Sequence, residues 1–442
     1  MDELTRRGFL EKGALSVGAV LASSMLDRQR QSVYGAVDEN SKPAILGGEP
    51  VSSEPYLSWP QYDKQMEDLF LESLRTLHWC RISDPASCVP DFEKAFAEHC
   101  GAKYCIAVNS GTSSLITALA ALDVGPGDEV ITTPYTYRAT VNTILTHYAL
   151  PILADVDPKT FMIDPKSIEE HITPRTKAIL PVHIYGNVCD VDAIDKIAKA
   201  HGLKVIYDAA HAFGVKVGDR GIGSFGDASI FSFHATKVFH TVEGGAVCYS
   251  SPELGQKLYE LKNFGIMDET TITGIGANAK MSEFHAAMGL VNLRYHDANV
   301  KRRQAIYNTY TEHLRGIPGL RIPEDEKEPL TQKEFPGLRT PSDTAEPLTQ
   351  KNYAYYPVVI EKTLFGADRD EVAKRLAAEN IYVRKYFYPL TSDYQCYREL
   401  LPHADTPVAD HIAASVITLP LSPSMEIEDA ARICDLIKTC RR

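Results

Sequence analysis

The chain has 442 residues, 44% hydrophobic and 24% charged, the balance of an ordinary globular protein large enough for two structural domains. A formal charge of −12 with no basic stripe argues against nucleic acid as a partner. The nine cysteines include no CxxC pair, and their closest spacings (Cys80/Cys88, Cys100/Cys105, Cys434/Cys440) suit neither a zinc site nor a disulfide framework, so buried thiols and no metal are expected.

In chain order, residues 1–26 stand apart. The pair Arg6-Arg7 precedes an uncharged, Gly/Ala-rich run from Gly13 to Leu26 that is too short for a stable membrane helix. This pattern resembles a twin-arginine export signal, with Ala22-Ser23-Ser24 as a weak cleavage site; the alternative is a docked N-terminal helix. The resemblance implies a periplasmic or exported protein, carried across folded and with any cofactor loaded; the other reading is cytoplasmic. Residues 27–41 are polar and read as a linker.

From residue 42 onward, β-type runs alternate with amphipathic helical stretches. Strands are expected at Tyr104–Val108, Glu129–Thr133, Pro151–Asp155, Ala178–His183, Lys204–Tyr207, Ala228–Phe233 and Ala246–Tyr249, with helices at Ser113–Leu122, Tyr137–Tyr148 and Val191–His201 among them. Such alternation predicts an α/β fold with a mainly parallel sheet covered by helices on both faces, spanning 42–314. Its last part, Met281 to Leu314, reads as a long linking helix. A smaller C-terminal α+β domain, 315–442, would hold a strand at Tyr353–Ile360, a helix at Arg369–Glu379 and a last helix from Ile427. Within it, 323–351 reads as a loop insertion in which Glu-Pro-Leu-Thr-Gln-Lys occurs at 328–333 and again at 346–351, a local duplication in a tolerant loop.

Three segments carry chemistry. Asn109-Ser110-Gly111-Thr112-Ser113-Ser114 follows a strand and opens a helix, so glycine, free N–H groups and hydroxyls form a site suited to phosphate, or simply an N-cap. Asp208-Ala-Ala-His211 ends an apolar strand, where open α/β sheets bind ligands; the carboxylate there can hold a heteroaromatic nitrogen protonated, or cap a turn. Lys237 lies just past the apolar run 228–233 and ahead of Glu243-Gly-Gly245. Burying an ammonium is costly, and converting it to an imine with a carbonyl cofactor removes the charge; most such lysines instead reach water along their stems. Phosphate binding, ring protonation and an amine are the three functions that pyridoxal phosphate requires.

In order along the chain, Ser110-Gly111-Thr112, Gly125-Pro-Gly-Asp-Glu-Val130, Thr133-Pro-Tyr-Thr-Tyr137, Pro181-Val-His-Ile-Tyr-Gly186, Asp208-Ala-Ala-His211, Ser232-Phe-His-Ala-Thr-Lys237, Glu243-Gly-Gly245 and Gly276-Ala-Asn278 resemble the DegT/DnrJ/EryC1/StrS family of sugar aminotransferases. The resemblance implies the fold of fold-type-I pyridoxal-phosphate transferases. It gives Lys237 the covalent attachment and the proton transfer, Asp208 the pyridinium nitrogen, and His211 a place beside the phenolic oxygen. Tyr137 would stack on the ring, Gly111, Thr112, Ser113 and Ser232 would hold the phosphate, and Asn278 would reach the neighbouring subunit's phosphate, implying a homodimer with sites at the interface. At position 240 histidine stands where relatives carry asparagine. Lysine at 237 argues against the family's dehydratase branch.

The resemblance further implies transfer from glutamate or glutamine to a keto sugar, generally nucleotide-linked, or to a keto cyclitol. Asn352-Tyr-Ala-Tyr-Tyr-Pro357, Lys262-Asn-Phe-Gly265 and Arg384-Lys-Tyr-Phe-Tyr-Pro-Leu390 resemble the branch acting on dTDP-4-keto-6-deoxyhexoses, whereas Leu46-Gly-Gly-Glu-Pro-Val51 and Trp59-Pro-Gln-Tyr62 resemble the scyllo-inosose branch. Tyr185, Arg384 and Tyr388 are candidate substrate contacts. A non-catalytic sensor that keeps the fold is the competing class. Nucleotide sugars and glutamate are mainly cytosolic, so the acceptor and the export signal pull in opposite directions.

Overall fold

The computed structural model describes residues 43–50, 60, 64–77, 79, 88–323, 348–401 and 404–442. The export-signal and linker readings, most of the Trp59–Tyr62 motif, Cys80 and the first copy of the hexapeptide repeat lie outside these residues.

Seven strands form the main sheet: β1 (Tyr104–Val108), β2 (Glu129–Thr132), β3 (Leu150–Leu153), β4 (Thr176–Ile179), β5 (Lys204–Asp208), β6 (Ala228–Ser232) and β7 (Gly245–Tyr249), in the spatial order β1-β7-β6-β5-β4-β2-β3. Strands β2 to β6 pair in parallel, while β7 runs antiparallel to both β1 and β6. Near-continuous apolar runs such as Val205-Ile-Tyr207 fit strands buried on both faces. One consequence matters most for the site. Because two antiparallel pairings restore direction, β1, β5 and β6 all end at the same edge, and the segments after them, Asn109–Ser113, Asp208–His211 and Ser232–Lys237, converge there.

Several expected boundaries shift for local reasons. The helix expected from Tyr137 runs Arg138–Thr146, with Tyr137 extended as its N-cap. The strand expected to reach His183 stops at Ile179, and the chain beyond it turns where Tyr185 and Gly186 take positive φ. In the small domain the strand begins at Tyr356 rather than Tyr353, whose φ is also positive. Beyond Ile179 the pairing with β5 survives only as an isolated bridge, Val182 to Asp208, which no apolar pattern reveals.

The linking helix spans Glu283–Leu314, capped by the Ser282 hydroxyl, which accepts from the His285 N–H. Its N-terminal half packs on the large domain beside the Cys88–Cys100 helix, and its C-terminal residues Ile306, Tyr310 and Leu314 enter a second core with Tyr356, Val358, Ile417 and Ile433. Arg303, buried midway, donates to the carbonyls of Leu421 and Ala354 and so fastens helix to small domain. That domain carries a three-stranded antiparallel sheet, Leu320–Arg321, Tyr356–Ile360 and Val416–Leu419, covered by the Arg369–Ala378 and Ile427–Thr439 helices. The end of the expected insertion, Leu348–Gln350, is a strand that pairs with Lys216–Val217. Of the described cysteines, only Cys396 is exposed and Cys88 half-buried; the others are buried, and none is bridged. Among the described residues no helix is long and apolar enough to cross a membrane.

Behind β6 an aromatic cluster fixes the Cys88–Cys100 helix. Phe96 meets Phe92, Phe213, Phe231, Phe233 and Phe239 at ring-centroid distances of 4.8–5.9 Å. Truncating so enclosed a ring removes its transfer free energy and leaves a cavity, so Phe96→Ala should cost about 3–5 kcal/mol. Chemical denaturation should show a clear fall in the midpoint; an unchanged midpoint would contradict the central place given to this ring.

Candidate active site

Asp208 is the last residue of β5 and only 6% exposed. One carboxylate oxygen accepts from the Thr140 hydroxyl (3.0 Å) and the other from the Ala210 N–H (3.1 Å). Burial pushes its carboxyl up from the usual range, against the pull of those two donors and of Lys237. A carboxylate so placed favours a cationic partner. Thr140 orients it from the Arg138–Thr146 helix, a role that sequence reasoning missed because a threonine inside a helix carries no signal of its own.

Lys237 is part-buried on the segment between β6 and β7. Burial pushes its ammonium down from the ordinary lysine value. Asp208, and to a lesser degree the phenols of Tyr386 and Tyr137, oppose that shift, while the Arg384 guanidinium adds to it. Tyr137 and Arg384 thus belong to the surroundings of Lys237; Tyr386 is a neighbour that sequence reasoning did not single out. Tyr137 keeps its ring 45% exposed, with Arg138 over one face at 4.6 Å.

His211 is 8% exposed and held on several sides. Its Nδ1 accepts from the Tyr185 N–H (3.3 Å), its ring stacks on Phe387, and Tyr355 lies 4.7 Å away. Asn352 donates to the carbonyls of His211 and Phe213, fixing the turn. Burial holds this imidazole well below its ordinary pKa, so with Nδ1 accepting it carries its proton on Nε2 as a neutral donor.

At the helix start, the Ser110 hydroxyl accepts from the Ser113 N–H (3.0 Å) and the Ser113 hydroxyl donates to Asn109 (2.6 Å). Gly111 faces β6 so closely that a Cβ there would stand 2.6 Å from the Cβ of Ser232. A row Val108–Gly245–Ser232 crosses β1, β7 and β6, and a Cβ on Gly245 would sit 2.5 Å from the Ser110 carbonyl. Two glycines therefore let a helix N-terminus and Ser232 close a small cup of N–H and hydroxyl donors, the chemistry that phosphate needs. With Lys237 and Asp208 beside it, the donor set fits pyridoxal phosphate.

The remaining candidates are placed differently. Tyr185 is buried, and its hydroxyl is bonded to the Tyr135 hydroxyl (2.5 Å) and the Tyr386 carbonyl. Arg384 is exposed and donates to the Tyr386 hydroxyl (2.9 Å). Tyr388 turns toward the small domain, under the Arg369 guanidinium at 4.2 Å. Asn278 lies on an exposed rim, where its side-chain oxygen accepts from Lys280 and its carbonyl from Asn109. His240 is buried, its carbonyl accepting from Asn292, and burial pushes its imidazole down to about 4, so it is neutral.

Residues 75–438 match the DegT/DnrJ/EryC1/StrS aminotransferase family. The chain belongs to this family. It is a pyridoxal-phosphate-dependent aminotransferase with the fold of the fold-type-I sugar aminotransferases. Within the family it is 41% identical over 348 residues to a dTDP-4-amino-4,6-dideoxy-D-glucose transaminase of Shigella dysenteriae, covering 78% of this chain and 88% of that protein. A transaminase of the same description from Escherichia coli is 37% identical, over 83% of this chain and 93% of its own. The crystal structure of DesI with its TDP-sugar product superposes with a TM-score of 0.79 at 32% identity, covering 90% of this chain and 95% of that one.

Two outcomes follow for this site. Because burial depresses the Lys237 pKa, its neutral amine should persist to a lower pH than that of a free lysine, whose pKa is about 10.4. In apoprotein, reductive trapping of pyridoxal at Lys237 should reach its half-maximal rate below that pH. Asp208→Asn removes the charge that holds the value up and should move the midpoint lower still; a move upward would refute the electrostatic assignment. In the cup, Ser232→Ala removes a donor to a charged group and should weaken cofactor binding about tenfold or more, measured as its dissociation constant. Gly111→Ala should do at least as much by displacing Ser232.

Proposed function

We propose that this aminotransferase moves an amino group from glutamate or glutamine to the ketone of a nucleotide-linked keto-deoxy sugar. The observation that carries the reading is Lys237 facing the buried Asp208 beside the phosphate cup, in a chain most of whose length aligns with nucleotide-sugar transaminases. When bound, pyridoxal phosphate supplies a pyridinium ring that accepts electrons from the carbon losing its proton. Asp208 would keep that ring nitrogen protonated, His211 would offer Nε2–H to an oxygen, and the Lys237 amine would move the proton between the substrate carbon and the cofactor.

Two residues before the motif that resembles the cyclitol branch, the Ala44 N–H donates to Glu379 (3.0 Å), just past the Arg369–Ala378 helix, so the chain entering that motif docks on the small domain. The similarity to transaminases of a dTDP-linked amino sugar supports the sugar acceptor. Arg384, exposed and close enough to influence Lys237, is a suitable contact for an anionic nucleotide diphosphate. A homodimer fits the rim around Asn278, where Phe264, Met267, Ile272 and Ile275 are exposed, Ile275 to 98%. Asn278 from one protomer would then serve the other's phosphate. The Arg6-Arg7 pair and the apolar run to Leu26 support export by the twin-arginine route.

Mass spectrometry of reactions with glutamate or glutamine against keto sugars and keto cyclitols tests the acceptor. An aminated nucleotide sugar is expected. Product from cyclitols alone would overturn the sugar reading, and failure of glutamate and glutamine to convert bound pyridoxal phosphate to its amine form would favour the sensor. For location, changing Arg6→Lys and Arg7→Lys together should keep an exported reporter fusion in the cytoplasm; a fusion that is cytoplasmic with the native pair removes the export proposal.

A further inference from the structure

Outside the active site, the structure brings together three side chains that the sequence keeps far apart. His99 closes the Cys88–Cys100 helix, and His296 and Asp297 lie in the first half of the linking helix. Each offers one coordinating atom, and these atoms all lie within 4.8 Å of one another. His296 is 2% exposed, and neither of its ring nitrogens has a hydrogen-bond partner. Burying a polar nitrogen without a partner is costly, and the usual resolution is a ligand or a bound water. The ring occupies space that only glycine leaves free, because a Cβ on Gly214, at φ +73°, would collide with its Nε2.

The rings are also set as metal ligands are set. Two imidazoles on one tetrahedral ion with metal–nitrogen bonds of about 2.0 Å have centroids about 5 Å apart. Those of His99 and His296 are 4.8 Å apart and inclined at 85°. Ligand atoms on such an ion lie about 3.3 Å from one another, so a modest rotation closes the set. Asp297 is exposed, and His99 is half-buried beside a groove lined by Ala95, Glu98, Leu290, Leu293 and Arg294, which gives an ion and its water a way in. Two imidazoles with one carboxylate, and a position left for water, match a divalent transition ion better than calcium or magnesium, which prefer all-oxygen sets.

We propose that His99, His296 and Asp297 bind one zinc-type divalent ion that clamps the linking helix to the Cys88–Cys100 helix. The clamp lies behind Phe213, against which both rings pack, two residues from His211 of the cofactor site. It takes no part in amino transfer, so it stands or falls apart from the function proposed above.

The test uses the full-length holoenzyme, stripped by chelation, dialysed against zinc and assayed by elemental mass spectrometry. One bound zinc per chain is expected, with cobalt giving the visible bands of a tetrahedral site and magnesium failing to compete. His99→Gln and the surface change Asp297→Asn should each lower zinc affinity at least ~10-fold, while His201→Gln on another helix should not. At a fixed zinc concentration, zinc should raise the melting temperature of the wild type more than that of Asp297→Asn. Absence of retained zinc in the wild type, or retention at unchanged affinity in both His99→Gln and Asp297→Asn, overturns the proposal. If His99→Gln fails to fold, the Asp297→Asn comparison and the cobalt spectrum decide the matter alone.

Discussion

A carboxylate placed at the dry end of β5 is the constraint around which the rest of the site is arranged. Asp208 sits where burial opposes its ionisation, and two donors and one amine support it. A cation facing it favours its ionised form. Lys237 supplies part of the balance, yet Lys237 is itself depressed by the same surroundings. The two groups thus share a deficit that neither cancels. A bound ring with a protonated nitrogen would meet it from the Asp208 side, and covalent attachment of a carbonyl cofactor would relieve it at Lys237.

Everything near this pair reads as scaffolding for it. The Arg138–Thr146 helix presents Thr140 to Asp208 and Tyr137 at its mouth. The Tyr185 N–H and the ring of Phe387 fix His211 in a neutral form, while Tyr135 and Tyr185 both bond to the Tyr386 carbonyl and so tie the small domain's Arg384–Phe387 stretch to the large domain. The site is therefore held from both domains at once, and the buried Arg303 and the linking helix set the distance between them.

Much of this was legible before any coordinates. The apolar runs of β1, β5 and β6 mark strands buried on two faces, and ligand residues placed after them follow from the geometry of parallel sheets. Lys237 stood out as an amine past an apolar run, Asp208 as a carboxylate ending an apolar strand and Ser110–Ser113 as a hydroxyl-rich helix start, whereas the place given to His211 came from the family resemblance. What escaped did so for physical reasons. Thr140 acts through a single hydroxyl inside a helix, and Tyr386 through proximity that only the folded small domain creates. His99 and His296 carry no mutual spacing signal, since tertiary packing alone makes them neighbours.

The row Val108–Gly245–Ser232 has a consequence for how the enzyme is made. Strand β1 lies at the margin of the sheet, and its one partner strand is β7, the last of the seven in chain order. Until residues 245–249 have left the ribosome and slipped between β1 and β6, the two halves of the phosphate cup have no strand to join them. The two halves of the cup are thus joined by a strand that is synthesised after both of them.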